Sequence, residues 1–296
     1  MELWAVFAKL TLVENTYPET DAAFTSAQSN LIPMNPNNPP WNGWVAIGVW
    51  VASVLAIVIF PTLFLAPYIV QVNGQFTDKN QLVEFAKTDP TAIILQIAAI
   101  IPAHLFTLIL SWLVVTRMRN FSFRQTLGWK SGGMLWWHFI VIIVGFFALA
   151  AVIGNYFPEQ ETDMARILKS SRTAVFIVVF LATFTAPLVE EVVYRGILYS
   201  AFQRRFGIPV AVAAVTAIFT LVHVPQYLES LSTIFLLALL SLILTLVRVR
   251  TNNLLPCIIL HTVFNGIQSV LLILEPYFPK IASPTDVPAS IIDLLK

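Results

Sequence analysis

The chain has 296 residues, of which 57% are hydrophobic and only 11% charged, with a mean hydropathy of +0.79. A soluble domain carries about 25% charged residues, so this composition excludes an ordinary water-soluble globule and predicts a polytopic membrane protein. The net charge of +1 offers nothing to nucleic acid, and a single cysteine, Cys257, excludes an intrachain disulfide framework.

Residues 1–43 are mixed in character and close on an Asn/Pro run, Asn30 to Pro40, through which no helix can pass. Leu3, Val6, Phe7 and Leu10 form one apolar face, consistent with a short interfacial helix. Residues 1–13 hold one cation, Lys9, and no sustained apolar core, so no cleavable signal is expected. Trp41 and Trp44 are expected to anchor the chain at the membrane interface.

Charge-free runs long enough to span then occupy 44–71, 91–116 and 131–157. Pro61 and Pro67 are expected to kink the first, and Pro102 the second near Ala103-His104. A fourth helix runs from Thr173 to Phe206, where Gly207-Ile208-Pro209 turns the chain, and further spans cover 208–223, 230–249 and 253–274. The fold class is therefore all-α, a transmembrane bundle of seven spans with kinked helices, or eight if a further or re-entrant segment is present. Its divisions are an N-terminal segment (1–43), N-terminal spans (44–172), a chemistry-bearing core (173–274) and a proline-bearing tail (275–296).

Orientation follows from the Lys/Arg content of the loops. Arg117, Arg119, Arg124 and Lys130, then Arg204 and Arg205, then Arg248 and Arg250 fall on one side of a seven-span chain. The opposite loops mix their cations with acids. This places the N-terminus and the basic turns in the cytosol.

The fourth helix breaks the rule that a span avoids charge. Between charge-free Thr173–Val189 and Gly196–Gln203 lie Glu190, Glu191 and Arg195. A charge at the bilayer centre costs about 2.5–3.5 kcal/mol on insertion scales, so such residues are functional by default. Glu191 and Arg195 have the i,i+4 spacing of an ion pair, which leaves Glu190 free. A buried staple between helices is the bland alternative.

Two histidines sit at i,i+4 from a partner, in Phe219-Thr-Leu-Val-His223 and His261-Thr-Val-Phe-Asn265. Glu190 lies seventeen residues before Gly207 and His223 sixteen after it. At about 1.5 Å per residue both stand roughly 25 Å from the turn, side by side in an antiparallel pair. His261, eight residues into the seventh helix, reaches a similar depth. A carboxylate withdrawn from water suits a general base, and two imidazoles can position a water or pass its proton. The Asn265 amide supplies two N–H donors for a developing oxyanion. Taken singly, each intramembrane histidine reads as an interhelical hydrogen bonder, Asn265 as interhelical glue and Phe219 as packing. His104 reads as core packing, His138 as a solvated interfacial residue and Cys257 as a small core residue.

These three motifs, Glu190-Glu191-x-x-x-Arg195, Phe219-x-x-x-His223 and His261-x-x-x-Asn265, resemble the CPBP family of intramembrane proteases (also called Abi or CAAX-protease), which includes the Rce1-type prenyl-protein endopeptidases. The resemblance covers about residues 173–274, with no departure at the signature positions. It implies a glutamate-dependent hydrolase of peptide bonds in membrane-associated or lipid-modified protein substrates. Glu190 would activate water with a histidine, and Asn265 would stabilise the oxyanion. Glu191 would count with Glu190, His223, His261 and Asn265 among the catalytic residues, with Arg195 and Phe219 as structural and electrostatic support, and the site would open to the cytosol from the plasma membrane.

No cofactor is expected. Zinc on Glu190, His223 and His261 is the less favoured alternative, because no His-Glu-x-x-His is present and each ligand comes from a different helix. Neither a Gly-x-Ser-x-Gly elbow nor a Gly-Asp pair occurs. Two rival functions stay open: a proton-coupled transporter using the same groups, although no repeat relates the two halves, and a non-proteolytic immunity or scaffold protein. The lipid bilayer and a protein or peptide substrate are the expected partners, with no reading of oligomeric state.

Overall fold

The computed structural model describes residues 35–72, 76, 78–157, 171–228 and 230–274. The expected N-terminal interfacial helix, the loop at 158–170 and the C-terminal tail lie outside the described residues. Those described form helices, turns and loops with no strand among them. Among the described residues seven helical stretches are long and apolar enough to cross a membrane, and the protein is an integral membrane bundle.

The first span is α1 (Gly43–Gln71), capped by Asn42 and continuous through Pro61 and Pro67. A short amphipathic helix, α2 (Lys79–Thr88), follows in a loop to which the sequence assigned no element. Its signals were present: Asp78 caps its first turn, and Asp89 caps the next helix, with Pro90 at that helix's first position. The second span comes in two pieces, α3 (Pro90–Ala98) and α4 (Ile100–Thr116). The interruption sits at Ala99, about one turn before Pro102 rather than at Ala103-His104. A proline ring clashes with the carbonyl four residues back, so the break precedes the ring.

A short helix, α5 (Phe123–Leu127), lies in the basic loop, and α6 (Trp136–Tyr156) is the third span. It starts later than expected because Gly132 and Gly133 turn the chain at positive φ. The fourth span, α7 (Arg172–Phe206), is the longest at 35 residues. After Gly207 come α8 (Ile208–His223), α9 (Leu231–Thr251) and α10 (Leu255–Leu274).

Within α7 every residue from Glu191 to Phe202 is buried. Around that stretch pack α1, α4, α5 and α8, with Trp41, Val49, Val115, Leu127, Val215 and Phe219 in one apolar cluster. A second cluster joins α6, α9 and α10 through Phe146, Leu244 and Phe264.

The Asn/Pro segment before α1 is non-helical as expected, but it is bound to the bundle. Arg204 donates to the carbonyls of Pro39 and Trp41, and Arg248 donates to that of Pro36 at 2.9 Å. Two expectations change here. Trp41 is no interfacial anchor: it is 4% exposed, and its indole N–H donates to the Ile197 carbonyl at 3.0 Å. Trp44, by contrast, is 81% exposed. Arg248 is no turn cation either, because α9 continues past it to Thr251 and buries it completely over the Tyr199 ring.

The loop after α5 closes onto the end of α9. Gly128 (φ 77°) accepts from Leu254 N–H at 2.7 Å, and a Cβ there would stand 2.8 Å from the Asn252 carbonyl oxygen. Only glycine fits this close approach.

Candidate active site

The site is built on a distortion of α7. Two π-helical turns, Leu181–Thr185 and Val192–Leu198, flank the ordinary α-turn Ala186–Glu191 that carries both carboxylates. Such widened turns recur at functional sites. The first has a sequence cause. Ala186 N–H bonds to the Leu181 carbonyl five residues back, so the next π-bond, to the Ala182 carbonyl, falls to Pro187, which has no N–H. Asn265 of α10 meets that carbonyl with its Nδ2, 2.9 Å away.

Asn265 is therefore not the unengaged pair of donors read from the sequence. One amide N–H holds α10 against the turn ahead of Glu190, and the second N–H and the side-chain oxygen stay available. No sequence signal marked Ala182 as its partner, because the need arises only from the π-register.

Glu191 and Arg195 form the expected i,i+4 pair, with Nη1 to Oε1 at 2.8 Å and both side chains 0% exposed. Arg195 is saturated further by Ser241 and Thr245 of α9, through Nη2 to the Ser241 hydroxyl (2.8 Å) and carbonyl (2.9 Å) and Nε to Thr245 Oγ1 (3.3 Å). Below it lies Phe219, the guanidinium carbon 4.9 Å from the ring centre. Burying an ion pair demands such extra bonds, since desolvation otherwise exceeds the Coulombic gain. Ser241 and Thr245 carry no motif and were missed in the sequence.

His261 connects the two carboxylates. Its Nδ1 stands 2.8 Å from Glu191 Oε1 and its Nε2 3.8 Å from Glu190 Oε2. A carboxylate that accepts from Arg195 also accepts from the ring, which puts the proton on Nδ1 and leaves the lone pair of Nε2 facing Glu190. Glu190 differs from its neighbour: its side chain is 24% exposed and no arginine neutralises it.

His223 joins through an aromatic contact. Phe219, 1% exposed, stacks 4.6 Å from the His223 ring and 6.4 Å from the His261 ring, and meets Tyr194 edge-on at 5.0 Å. The His223 Nδ1–H donates to the Phe219 carbonyl at 2.7 Å, so its Nε2 is also bare. Glu190, Glu191, Arg195, Phe219, His261 and Asn265 thus share one neighbourhood, with His223 attached through Phe219.

The N-terminal spans reach the same neighbourhood. Trp50 of α1 donates to the Tyr194 hydroxyl at 3.1 Å, and His104 of α4, 6% exposed, bonds to Thr185 at 2.8 Å. Cys257 is a buried core residue whose thiol lies 3.4 Å from the Leu244 carbonyl. His138 does more than meet solvent: its Nδ1 accepts the Leu135 N–H at the start of α6. Gln268 is exposed.

Two apolar grooves flank the site. One, of about 540 Å³, runs between α7 and α10 past Thr183, Phe184 and Gly266. The other, of about 600 Å³, lies between α4, α5 and α7, with Trp112, Arg124, Trp129 and Leu188 in its wall. Among the described residues no group of three His, Cys, Asp or Glu side chains is arranged to hold a metal ion.

Residues 172–267 match the family model described as type II CAAX prenyl endopeptidase Rce1-like, in line with the resemblance that the three motifs carry. The match takes in α7, α8, α9 and α10 as far as two residues past Asn265, and leaves α1–α6 outside. The family is one of peptidases. No curated protein and no solved structure matches the chain.

Proposed function

We propose that the protein is an intramembrane endopeptidase in which Glu190 activates water against a peptide bond. The observation that carries this is the asymmetry of the two adjacent carboxylates. Glu191 is buried, paired with Arg195 and accepting from His261, whereas Glu190 is partly open and faces the bare Nε2 of His261 at 3.8 Å. That separation is too long for a direct hydrogen bond and is one a single water bridges.

In the reaction, Glu190 takes a proton from that water while its oxygen adds to the substrate carbonyl carbon. Negative charge then develops on the carbonyl oxygen, where the second Asn265 N–H serves as the donor, while His223 helps to position the water or pass its proton. Glu190, or an imidazole, returns the proton to the amide nitrogen as the C–N bond breaks. Arg195 and Phe219 act by holding Glu191 and the rings in place.

The substrate is a protein or peptide at the membrane, lipid-modified or not, admitted beside Leu188 from the end that carries the basic loops. That end is proposed to face the cytosol, and the membrane to be the plasma membrane.

The test is purified protein in liposomes with a panel of quenched peptides. Cleavage lost by at least about a hundredfold in Glu190→Ala and His223→Ala is the expected outcome. Cleavage surviving in Glu190→Ala overturns the role of that residue. Ion flux without cleavage selects the transporter instead, and cleavage abolished by a chelator and restored only by zinc selects the metal alternative.

A further inference from the structure

The loop that joins α4 to α6 through α5 holds cations and no counter-charge. Residues 117–135 include Arg117, Arg119, Arg124 and Lys130 and not one Asp or Glu. Among the described residues none of the four is paired with a carboxylate. The chain leaves α4 by an uncommon route: Arg117, Met118 and Arg119 lie in succession at φ 43°, 58° and 77°, a region that L side chains rarely adopt. Phe121 N–H closes this turn on the Thr116 carbonyl at 2.9 Å. The guanidinium carbon of Arg119 then stands 5.7 Å from the centre of the Trp112 ring.

Trp112 is also a wall of the groove of about 600 Å³ between α4, α5 and α7. Leu108 and Ile109 of α4, Leu188 of α7, and Phe123 with Trp129, whose rings pack 6.4 Å apart, complete its apolar surface. Leu108 lies eight residues before the end of α4, so at about 1.5 Å per residue the trough runs roughly 12 Å into the span. Its polar side-chain groups are the Arg124 guanidinium and the indole N–H groups of Trp112 and Trp129. All three are donors, none bonds to another described residue, and none is among the sealed atoms. Such a groove calls for a ligand with an apolar tail and a head made of acceptors. The groove between α7 and α10 makes no such demand: no cation lines it, and its Thr183 and Ser269 hydroxyls bond to one another at 2.9 Å.

We propose that the groove between α4, α5 and α7 binds one anionic phospholipid, with the phosphate on Arg124 and an acyl chain laid along Ile109 and Leu188. A guanidinium fork takes phosphate oxygens two at a time, and Trp rings sit at the level where chain gives way to headgroup. Basic pockets between spanning helices suit anionic heads for the same reason. Arg119, stacked on Trp112, and Lys130, next to Trp129, add positive charge around this mouth. A zwitterionic lipid fills the trough too, but brings a cation of its own against Arg124. Through Leu188 the bound chain packs on the Ala186–Glu191 turn that carries both carboxylates. A substrate admitted beside Leu188 displaces it. The lipid site does not depend on what Glu190 does.

The experiment is native mass spectrometry of the full protein in detergent, titrated with dioleoylphosphatidylglycerol or dioleoylphosphatidylcholine, reading the affinity of the first lipid bound. Phosphatidylglycerol is expected to bind more tightly by about fivefold or more. Arg124 is exposed, so Arg124→Gln removes the charge without disturbing the core, and brings phosphatidylglycerol down to the level of phosphatidylcholine. Arg205→Gln, in another basic turn and outside the groove, leaves the preference unchanged. Ile109→Trp, which keeps Arg124 and fills the trough, weakens both lipids.

Equal affinity for the two lipids overturns the inference, as does an Arg124→Gln that loses no more than Arg205→Gln. An Ile109→Trp that binds phosphatidylglycerol as the parent does places the lipid elsewhere and overturns it too. So does unchanged lipid binding in Arg124→Gln with cleavage lost only for peptides that end in a free carboxylate, which gives the groove to a peptide terminus. Phosphatidylglycerol held through Arg124 in a protein that cleaves no peptide supports the lipid site and ends the protease reading alone.

Discussion

Two spans of this protein look alike as sequence and behave oppositely as structure. The most apolar stretch of α6 has a mean hydropathy of 2.4 and that of α7 a value of 2.0, yet 6% of the first and 28% of the second are buried inside the protein. Only Phe146 of α6 is buried. Lipid is as apolar as a core of Leu and Val, so hydrophobicity drives neither helix inward. What makes α7 central is what lipid cannot solvate: an ion pair, a proline-disrupted backbone and the donors that satisfy both. The least apolar of the two is the one the bundle is built around.

That contrast can be broken at its strongest point. Arg195→Met strands Glu191 among Val192, Val193 and Phe219, and the expected loss is about 3–5 kcal/mol of stability, read by denaturant unfolding in detergent. Adding Glu191→Gln restores part of it. A lone Arg195→Met as stable as the parent would mean that the pair does not organise α7.

A smaller effect is expected where α10 meets the π-turn. Asn265→Ala leaves the Ala182 carbonyl without its donor, at a cost of about 1–3 kcal/mol, and hydrogen exchange should rise in residues 181–186 before it rises elsewhere. If exchange changes evenly along α7, the amide is not what closes that turn.

The smallest effect sharpens the comparison from the other side. Val144→Ala on α6, exposed at 61%, removes methyl groups that already face an apolar solvent. The expected change is within about 0.5 kcal/mol, measured the same way. A larger loss would place a partner against that face.

Much of this was legible beforehand because the bilayer imposes strict requirements. A span must be about 20 apolar residues with its backbone bonds closed internally, which is why the seven spans could be read from long apolar runs, the fourth across its own charged cluster. The Glu191–Arg195 pair was legible because i,i+4 spacing survives even where the helix widens. Matching Glu190 and His223 by depth uses only the rise along one helical hairpin, and depth says nothing of rotation. Phe219, read as packing and site support, proved to be the surface on which Arg195, His223, His261 and Tyr194 meet.

The order of spans, their lengths, the placing of charge at membrane depth and the three motifs were all determined by the sequence itself, since each depends on neighbours within a turn or two. Only the tertiary structure decided that Asn265 would serve an orphaned carbonyl, that Trp41 and Arg248 would leave the interface for the interior, and that His104 would bond to Thr185. Those outcomes hang on polar atoms left over when helices pack, and such atoms find partners on whichever helix happens to arrive, at separations along the chain of 83 residues for Asn265 and Ala182 and 81 for His104 and Thr185.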